Sequence, residues 1–107
     1  MERSTVAVRR WTGPPPDEPM LLRAFTDQGL VPYRWSNGPG DVYAAHRHAY
    51  TKRLRVVSGS IRFDLVERGE TIELHPGDEL VLPAGVVHAA VVGPAGVVCL
   101  EAHQSAG

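Results

Sequence analysis

The chain has 107 residues, a length typical of one domain, with 43% hydrophobic and 21% charged residues. These fractions are typical of a globular protein and exclude disorder for most of the chain. Eleven Lys and Arg against 12 Asp and Glu give a net charge of −1, so the chain lacks the basic excess with which proteins hold a nucleic-acid backbone.

We expect a bacterial, cytoplasmic protein. Cys99 is the single cysteine and cannot form an internal disulfide, which is typical of a reducing compartment. The N-terminal residues have neither the pattern of a signal peptide nor the length of a membrane span. Ten Arg against one Lys, together with 14 Val, indicate a genome rich in GC.

Gly and Pro interrupt the chain at short intervals, a spacing typical of an all-β sandwich or barrel. Residues 5–11 are predicted to form the first strand. Residues 17–28 are the single helix candidate, with Asp17 as its N-cap and Leu21, Leu22 and Phe25 on its apolar face. Further strands are predicted at 60–67, 71–74, 79–82, 86–92 and 97–101, with a turn at 68–70.

Histidine is the one residue type whose placement indicates chemistry, because the sequence contains no HExxH, no paired CxxC and no GxSxG motif. The spacing of His46 and His48 on a strand places both imidazoles on one face, where they suit a divalent metal. His88 follows a Pro-Ala-Gly turn and lies in an apolar run. It is either a core histidine bonded to a carbonyl or a third ligand.

Two segments resemble the motifs of the cupin family. The first family motif, G-x5-H-x-H-x3–4-E-x6-G, reads here Gly40-x5-His46-x-His48-x3-Lys52-x6-Gly59. The second, G-x5-P-x-G-x2-H-x3-N, reads Gly77-x5-Pro83-x-Gly85-x2-His88-x3-Val92. The resemblance implies one small cupin domain over residues 1–107, with motif 1 at 40–59 and motif 2 at 77–92. It implies an all-β jelly-roll barrel, also called a double-stranded β-helix, with one short N-terminal helix.

By the same resemblance, His46, His48 and His88 would hold a divalent ion, which could be zinc, iron, manganese or nickel. The sequence departs from the family where Lys52 replaces the motif Glu and Val92 replaces the motif Asn. Strand alternation from His46 to Val56 predicts that Lys52 points into the barrel. An ammonium beside a divalent ion must lose its charge or lean toward an anionic group, such as Glu101 or a substrate carboxylate.

Several other side chains are candidates for the same cavity. Lys52 and Tyr50 are the predicted substrate contacts and catalytic residues, although Tyr50 could simply fill the barrel. Glu101 and His103 share one strand face, and either could replace the missing carboxylate or lie at the rim. Tyr43 should face away from the site and His75 should lie in a solvated turn. The expected core residues are Trp11, Trp35, Phe63 and Cys99.

From these expectations we predict a small metalloprotein. If it is an enzyme, it would be dioxygenase-like or isomerase-like and act on a small polar or anionic molecule. The alternatives are a metal-free cupin that binds or senses a small ligand, and a purely structural barrel. We also expect a homodimer, in which residues 5–11 would extend the partner's sheet.

Overall fold

The computed structural model describes residues 5–105. It contains seven antiparallel strands, one α-helix and one short 3-10 helix at Val66–Arg68. The α-helix α1 is Glu18–Thr26. The strands are β1 (Ala7–Arg9), β2 (Tyr33–Asn37), β3 (Val42–His46), β4 (Tyr50–Leu65), β5 (Glu70–Leu74), β6 (Glu79–Leu82) and β7 (His88–Ser105).

The two long strands, β4 and β7, pass through both layers of the barrel. In one layer the order is β1, β6, the first half of β4, the second half of β7, and β2. In the other layer β5 pairs with the second half of β4, and β3 pairs with the first half of β7. The predicted all-β jelly-roll barrel is therefore confirmed, and its two sheets are continuous through these strands.

The bend in the two long strands lies where Gly59 meets Gly96. The pairing of β4 with β7 shifts register on either side of Gly59, which marks a bulged corner. Gly59 has a φ of +76°, and a Cβ atom added to it would lie 2.0 Å from the carbonyl oxygen of Gly96. Only glycine permits this backbone contact, which explains physically the last glycine of the first motif.

We predict that Gly59→Ala strongly destabilises the protein, whereas Gly69→Ala has a small effect. Both glycines have a positive φ, which costs a side-chain-bearing residue about 1–2 kcal/mol, but a Cβ at Gly69 meets no atom within 4 Å. The overlap at Gly59 should raise the loss above about 3 kcal/mol. Urea unfolding of both variants measures the difference, and equal losses would contradict the close contact.

The barrel interior is filled by alternate side chains of the long strands and their neighbours. Leu54 and Val56 point inward before the bend, and Ile61, Phe63 and Leu65 point inward after it. On β7 the inward set changes from even to odd numbers across Gly93–Gly96, so Val92 and Val97 both face the core. Because of the bend, side chains from both halves of each long strand face the same barrel interior.

Helix α1 covers the outer face of one sheet. Leu21 and Phe25 are buried against Leu100 and Ala102 of β7. The predicted N-cap is confirmed, since the backbone N–H of Met20 donates to Asp17 at 2.9 Å. The helix is shorter than the predicted range 17–28. Leu22, predicted on the apolar face, is exposed because it lies on the side of α1 turned away from the sheet.

The strand predictions were correct in type but divided too finely. The predicted strand 97–101 and most of 86–92 are parts of β7, which begins at His88, and 60–67 is largely the second half of β4. β1 is shorter than predicted and pairs with β6 of its own chain. The homodimer itself stays a prediction. Within residues 5–105, no helix has the length and apolar character needed to cross a bilayer.

Asp78 anchors the segment after β1 to the turn before β6. Its side chain is buried and accepts hydrogen bonds from the backbone N–H groups of Trp11 at 2.9 Å and His75 at 3.0 Å. Arg10 donates to it at 2.9 Å. Burial acts to raise the pKa of Asp78, but these hydrogen bonds and the Arg10 charge outweigh it and lower the pKa below its ordinary value.

Asp78→Asn should destabilise the protein at pH 7 by on the order of 1–3 kcal/mol, because the charged acceptor is lost. The pKa of Asp78 is lower in the folded protein, so its stabilisation is complete above the unfolded value near 3.8 and disappears as the pH falls through the folded value. Urea unfolding of the parent and of Asp78→Asn, measured from pH 7 into the acid range, should show that the difference between their free energies of unfolding decreases below about pH 3.8. A difference independent of pH would contradict a charged acceptor.

Candidate metal centre

A cavity of about 470 Å³ lies inside the barrel and is lined by residues of β2, β3, β4 and β7. The predicted site residues His46, His48, Tyr50, Lys52, His88 and Glu101 all line it. They come from both sheets, so the interior between the layers is the place where these separated segments meet. Its volume falls within the range of small-molecule binding sites.

The three predicted metal ligands form one cluster at this cavity. His46 ends β3, His88 begins β7, and the two residues are paired across the strands. One ring nitrogen from each of His46, His48 and His88 lies within 4.8 Å of the others. The assumed continuous strand from His46 to Val56 is wrong, because His48 lies in the connection between β3 and β4. His48 nevertheless reaches the cavity from that connection.

The hydrogen bonds of the imidazoles leave the metal-binding nitrogens free. His88 Nδ1 lies 2.9 Å from the carbonyl oxygen of Val86, and His46 Nδ1 lies 2.6 Å from that of Ala44. Each carbonyl accepts the Nδ1 proton and leaves Nε2 with its lone pair. Among the described residues, the buried Nε2 atoms of His48 and His88 have no hydrogen-bond partner. Buried polar atoms without partners are rare, and a divalent ion would satisfy both.

The electrostatic surroundings favour neutral imidazoles. Burial is the main cause that lowers the pKa of His88 to about 4, and the positive charge of Lys52 adds to it. The same two causes, in the same order, lower the pKa of His48. At neutral pH both rings are therefore unprotonated, which is the form that binds metal. The donor set, three imidazoles with one ring nitrogen each within 4.8 Å of the others, fits a borderline divalent ion.

Lys52 points into the cavity, as strand alternation predicts, and leans toward Glu101. Nζ of Lys52 lies 3.7 Å from Oε1 of Glu101, with side-chain exposures of only 11% and 4%. Of the two alternatives for this ammonium, the structure thus shows the contact with an anionic group. The cluster of potential ligands in the described residues contains the three histidines and includes neither Glu101 nor His103.

Glu101 is the hub of a hydrogen-bonded group at the cavity wall. Its Oε1 accepts from Trp35 Nε1 at 3.0 Å, and its Oε2 accepts from Tyr33 at 2.7 Å and from His103 Nε2 at 2.6 Å. Burial would raise the pKa of Glu101, but Lys52 and these three donors outweigh it and hold the pKa below its ordinary value. Glu101 is therefore a carboxylate at neutral pH.

Tyr50 lies between two histidine rings at the edge of the cavity. Its ring stacks on His48 with centroids 4.7 Å apart and on His103 with centroids 3.9 Å apart. Burial and then the Glu101 charge raise the pKa of Tyr50, so its hydroxyl keeps its proton at neutral pH. The stack supports the orientation of His48, while a contact of the hydroxyl with substrate stays a prediction.

Two aromatic residues take positions that differ from the prediction. Tyr43 lines the cavity instead of facing away, because the pairing of β3 with β7 shifts register between Tyr43 and His46. That irregularity reverses the side on which Tyr43 would otherwise lie. Trp35, predicted to be simple core, is a cavity wall residue that packs edge-on against Tyr43 and bonds Glu101.

The remaining candidates lie outside the chemistry of the cavity. His75 is exposed and lies 3.1 Å from Glu73, as expected for a turn. Cys99 is fully buried, and burial raises its pKa to about 12, so it is not a nucleophile at neutral pH. Trp11 is only partly buried and packs beside α1, where a Cβ on Gly77 would overlap its ring. Phe63 is buried as predicted and also lines the cavity.

Sequence reasoning missed the contribution of β2. Tyr33 and Asn37 line the cavity together with Trp35, because alternate residues of this strand face the interior. The spacing of Tyr33 and Trp35 was a usable signal. However, only the pairing of Tyr33 with Glu101 across β2 and β7 identifies the group to which that face is directed.

Comparison with known proteins agrees with this arrangement. The cupin domain family matches residues 33–101, which include both motifs. A structure of the DMSP lyases RdDddP and RnDddQII aligns with 75% of this chain and 40% of the other, at 30% identity and a TM-score of 0.65. The polyketide cyclase RemF from Streptomyces resistomycificus aligns with 69% of this chain and 54% of its own, at 26% identity and a TM-score of 0.60.

An RmlC-like cupin from Shewanella frigidimarina NCIMB 400 aligns with 69% of this chain and 64% of its own, at 24% identity and a TM-score of 0.60. This chain spans about half the length of the lyase and cyclase structures, of which it covers 40% and 54%. A search among curated proteins gives no match. The family match over more than half of the chain, together with the jelly-roll barrel and the histidine cluster inside it, shows that the protein belongs to the cupin family.

Proposed function

We propose that this cupin binds one divalent metal ion through His46, His48 and His88 and acts on a small polar or anionic molecule beside it. The observation that carries the proposal is the pair of buried Nε2 atoms on His48 and His88 that lack any partner in the described residues. When bound, such an ion acts as a Lewis acid or binds oxygen, according to its identity.

The three histidines supply a complete set of protein ligands for a catalytic site. Three neutral imidazoles leave the charge of a divalent ion uncompensated and keep at least one coordination position for water or substrate. The Lys52–Glu101 pair occupies the region where the motif Glu would act, and it carries no net charge of its own. A metal-loaded cavity would therefore be cationic, which favours anionic molecules.

The structural relatives support an enzymatic role for the cavity. Two of the aligned structures are named as a lyase and a cyclase, and each is at least 25% identical to this chain. Lys52 and Tyr50 are the residues that we assign to contact the substrate, since both line the cavity near the histidines. A cupin barrel carries many reactions, so the reaction class is left open between dioxygenase-like and isomerase-like chemistry.

A metal-free cupin that binds a small ligand is the second candidate. It is favoured by Lys52, which introduces a positive charge where the family motif has a metal-binding carboxylate. In that case the three imidazoles would donate and accept hydrogen bonds to the ligand itself. Metal analysis of the untagged protein after metal supplementation separates the two candidates, because only the first predicts one ion per chain.

His48→Ala should lower the metal content sharply, whereas His75→Ala should leave it unchanged. Two imidazoles hold a divalent ion poorly, and His75 lies in an exposed turn outside the cavity. Elemental analysis of the parent and both untagged variants after the same metal loading provides the measurement. Equal losses in the two variants, or none in either, would show that the cluster does not bind metal.

Lys52→Glu should tighten metal binding at least tenfold, which corresponds to about 1.4 kcal/mol. The change removes a repulsive charge and supplies a carboxylate beside three imidazoles. Lys52→Met should give an intermediate affinity, because it removes the charge without adding a ligand. Competition with a chelator measures the order of the three proteins, and a Lys52→Glu variant that binds no better than the parent would refute the assigned site.

A further inference from the structure

Lys52 has unused hydrogen-bonding capacity inside the cavity. Its ammonium carries three donors, yet its nearest acid oxygen, on Glu101, is 3.7 Å away, beyond hydrogen-bond length. No side-chain hydrogen bond of Lys52 occurs within residues 5–105, although its side chain is only 11% exposed. The Nζ atom is not among the buried polar atoms that lack a partner in the described residues, so it is open to the cavity, where a ligand oxygen would accept hydrogen bonds from it.

Glu101 does not act as a hydrogen-bond acceptor for Lys52, since its oxygens already accept hydrogen bonds from Trp35, Tyr33 and His103. These three donors fix the carboxylate at the wall whether or not Lys52 approaches it. Glu101 is also the single acidic residue among those that line the cavity in the described part of the chain. An incoming anion would therefore meet the ammonium of Lys52, ion-paired with Glu101 at 3.7 Å, and a carboxylate whose oxygens already accept hydrogen bonds.

The wall beside this ammonium is largely apolar. Trp35 and Tyr43 pack edge-on with ring centroids 6.2 Å apart, and Ile61, Phe63 and Ala90 continue the surface. The volume of about 470 Å³ lies within the range of cavities that bind small organic molecules. A ligand that uses both features has one anionic end and a compact apolar body.

We propose that Lys52 is an anion subsite that selects small carboxylates with an apolar or aromatic body. The carboxylate accepts hydrogen bonds from Nζ, and the body packs on the wall of Trp35, Tyr43 and Phe63. The inference rests on the proposed function for treating this cavity as the binding site, but it assigns the anion to Lys52 rather than to a metal ion. Metal-free protein therefore tests it separately.

The test uses benzoate and its neutral counterpart benzamide as probes, measured by titration calorimetry on chelator-treated full-length protein. We expect saturable binding of benzoate and at least tenfold weaker binding of benzamide, because only benzoate places a full negative charge at Lys52. Equal affinities for the two probes, or no saturable binding of benzoate, would overturn the proposal.

Lys52→Met should weaken benzoate binding at least tenfold, while Arg62→Met should leave it unchanged. Arg62 is the matched control, since it is a cation on the same strand that pairs with Asp64 outside the cavity. The double variant Lys52→Met and Glu101→Gln removes both charges, so it avoids leaving Glu101 buried without its cation. It should lose benzoate binding as well, and parent-like binding by either Lys52 variant would refute the subsite.

Removal of metal separates this proposal from the metal centre. The chelator-treated parent should bind benzoate saturably before any zinc is added, because the anion is assigned to Lys52 and not to a metal ion. Benzoate binding that appears only after zinc is added would overturn the Lys52 subsite and leave the metal centre standing. Saturable benzoate binding by a parent that takes up no metal would support the Lys52 subsite and overturn the proposed metal centre.

Discussion

The close contact of two backbones at Gly59 and Gly96 is the constraint on which the barrel depends. A Cβ at Gly59 would lie 2.0 Å from a carbonyl oxygen, so the long strands β4 and β7 can bend together only where side chains are absent. The bend places the first half of β4 and the second half of β7 in one sheet, and the remaining halves of both strands in the other sheet. As a result, Lys52 and Glu101 from one layer share a cavity with His88 from the other.

The second constraint is the burial of charge in that cavity. A buried ion pair gains little stability over apolar side chains of similar size, because both charges lose hydration. Here Glu101 recovers that cost through three hydrogen bonds, whereas Lys52 has only the 3.7 Å contact with Glu101. This asymmetry is difficult to explain as a device for stability. It is explained if the ammonium is kept available for a ligand.

The comparison structures share the barrel but do not determine the reaction. They include a lyase, a cyclase and a cupin defined only by its fold, with TM-scores between 0.60 and 0.65. Reaction and substrate in such barrels depend on the side chains that point inward, not on the strands that carry them. In this chain the inward set combines three imidazoles, one ion pair and an aromatic wall.

Turn spacing in the sequence predicted an all-β fold, and the resemblance to the cupin motifs predicted the barrel and the grouping of His46, His48 and His88. The sequence also predicted the inward direction of Lys52 and left Glu101 open as its partner. The contact of Glu101 with Lys52, and the positions of Tyr43, Trp35 and Tyr33 on the cavity wall, depend on the three-dimensional arrangement of the strands. Strand pairing across long separations and a local register shift control those positions, and neither is encoded in the spacing of nearby residues.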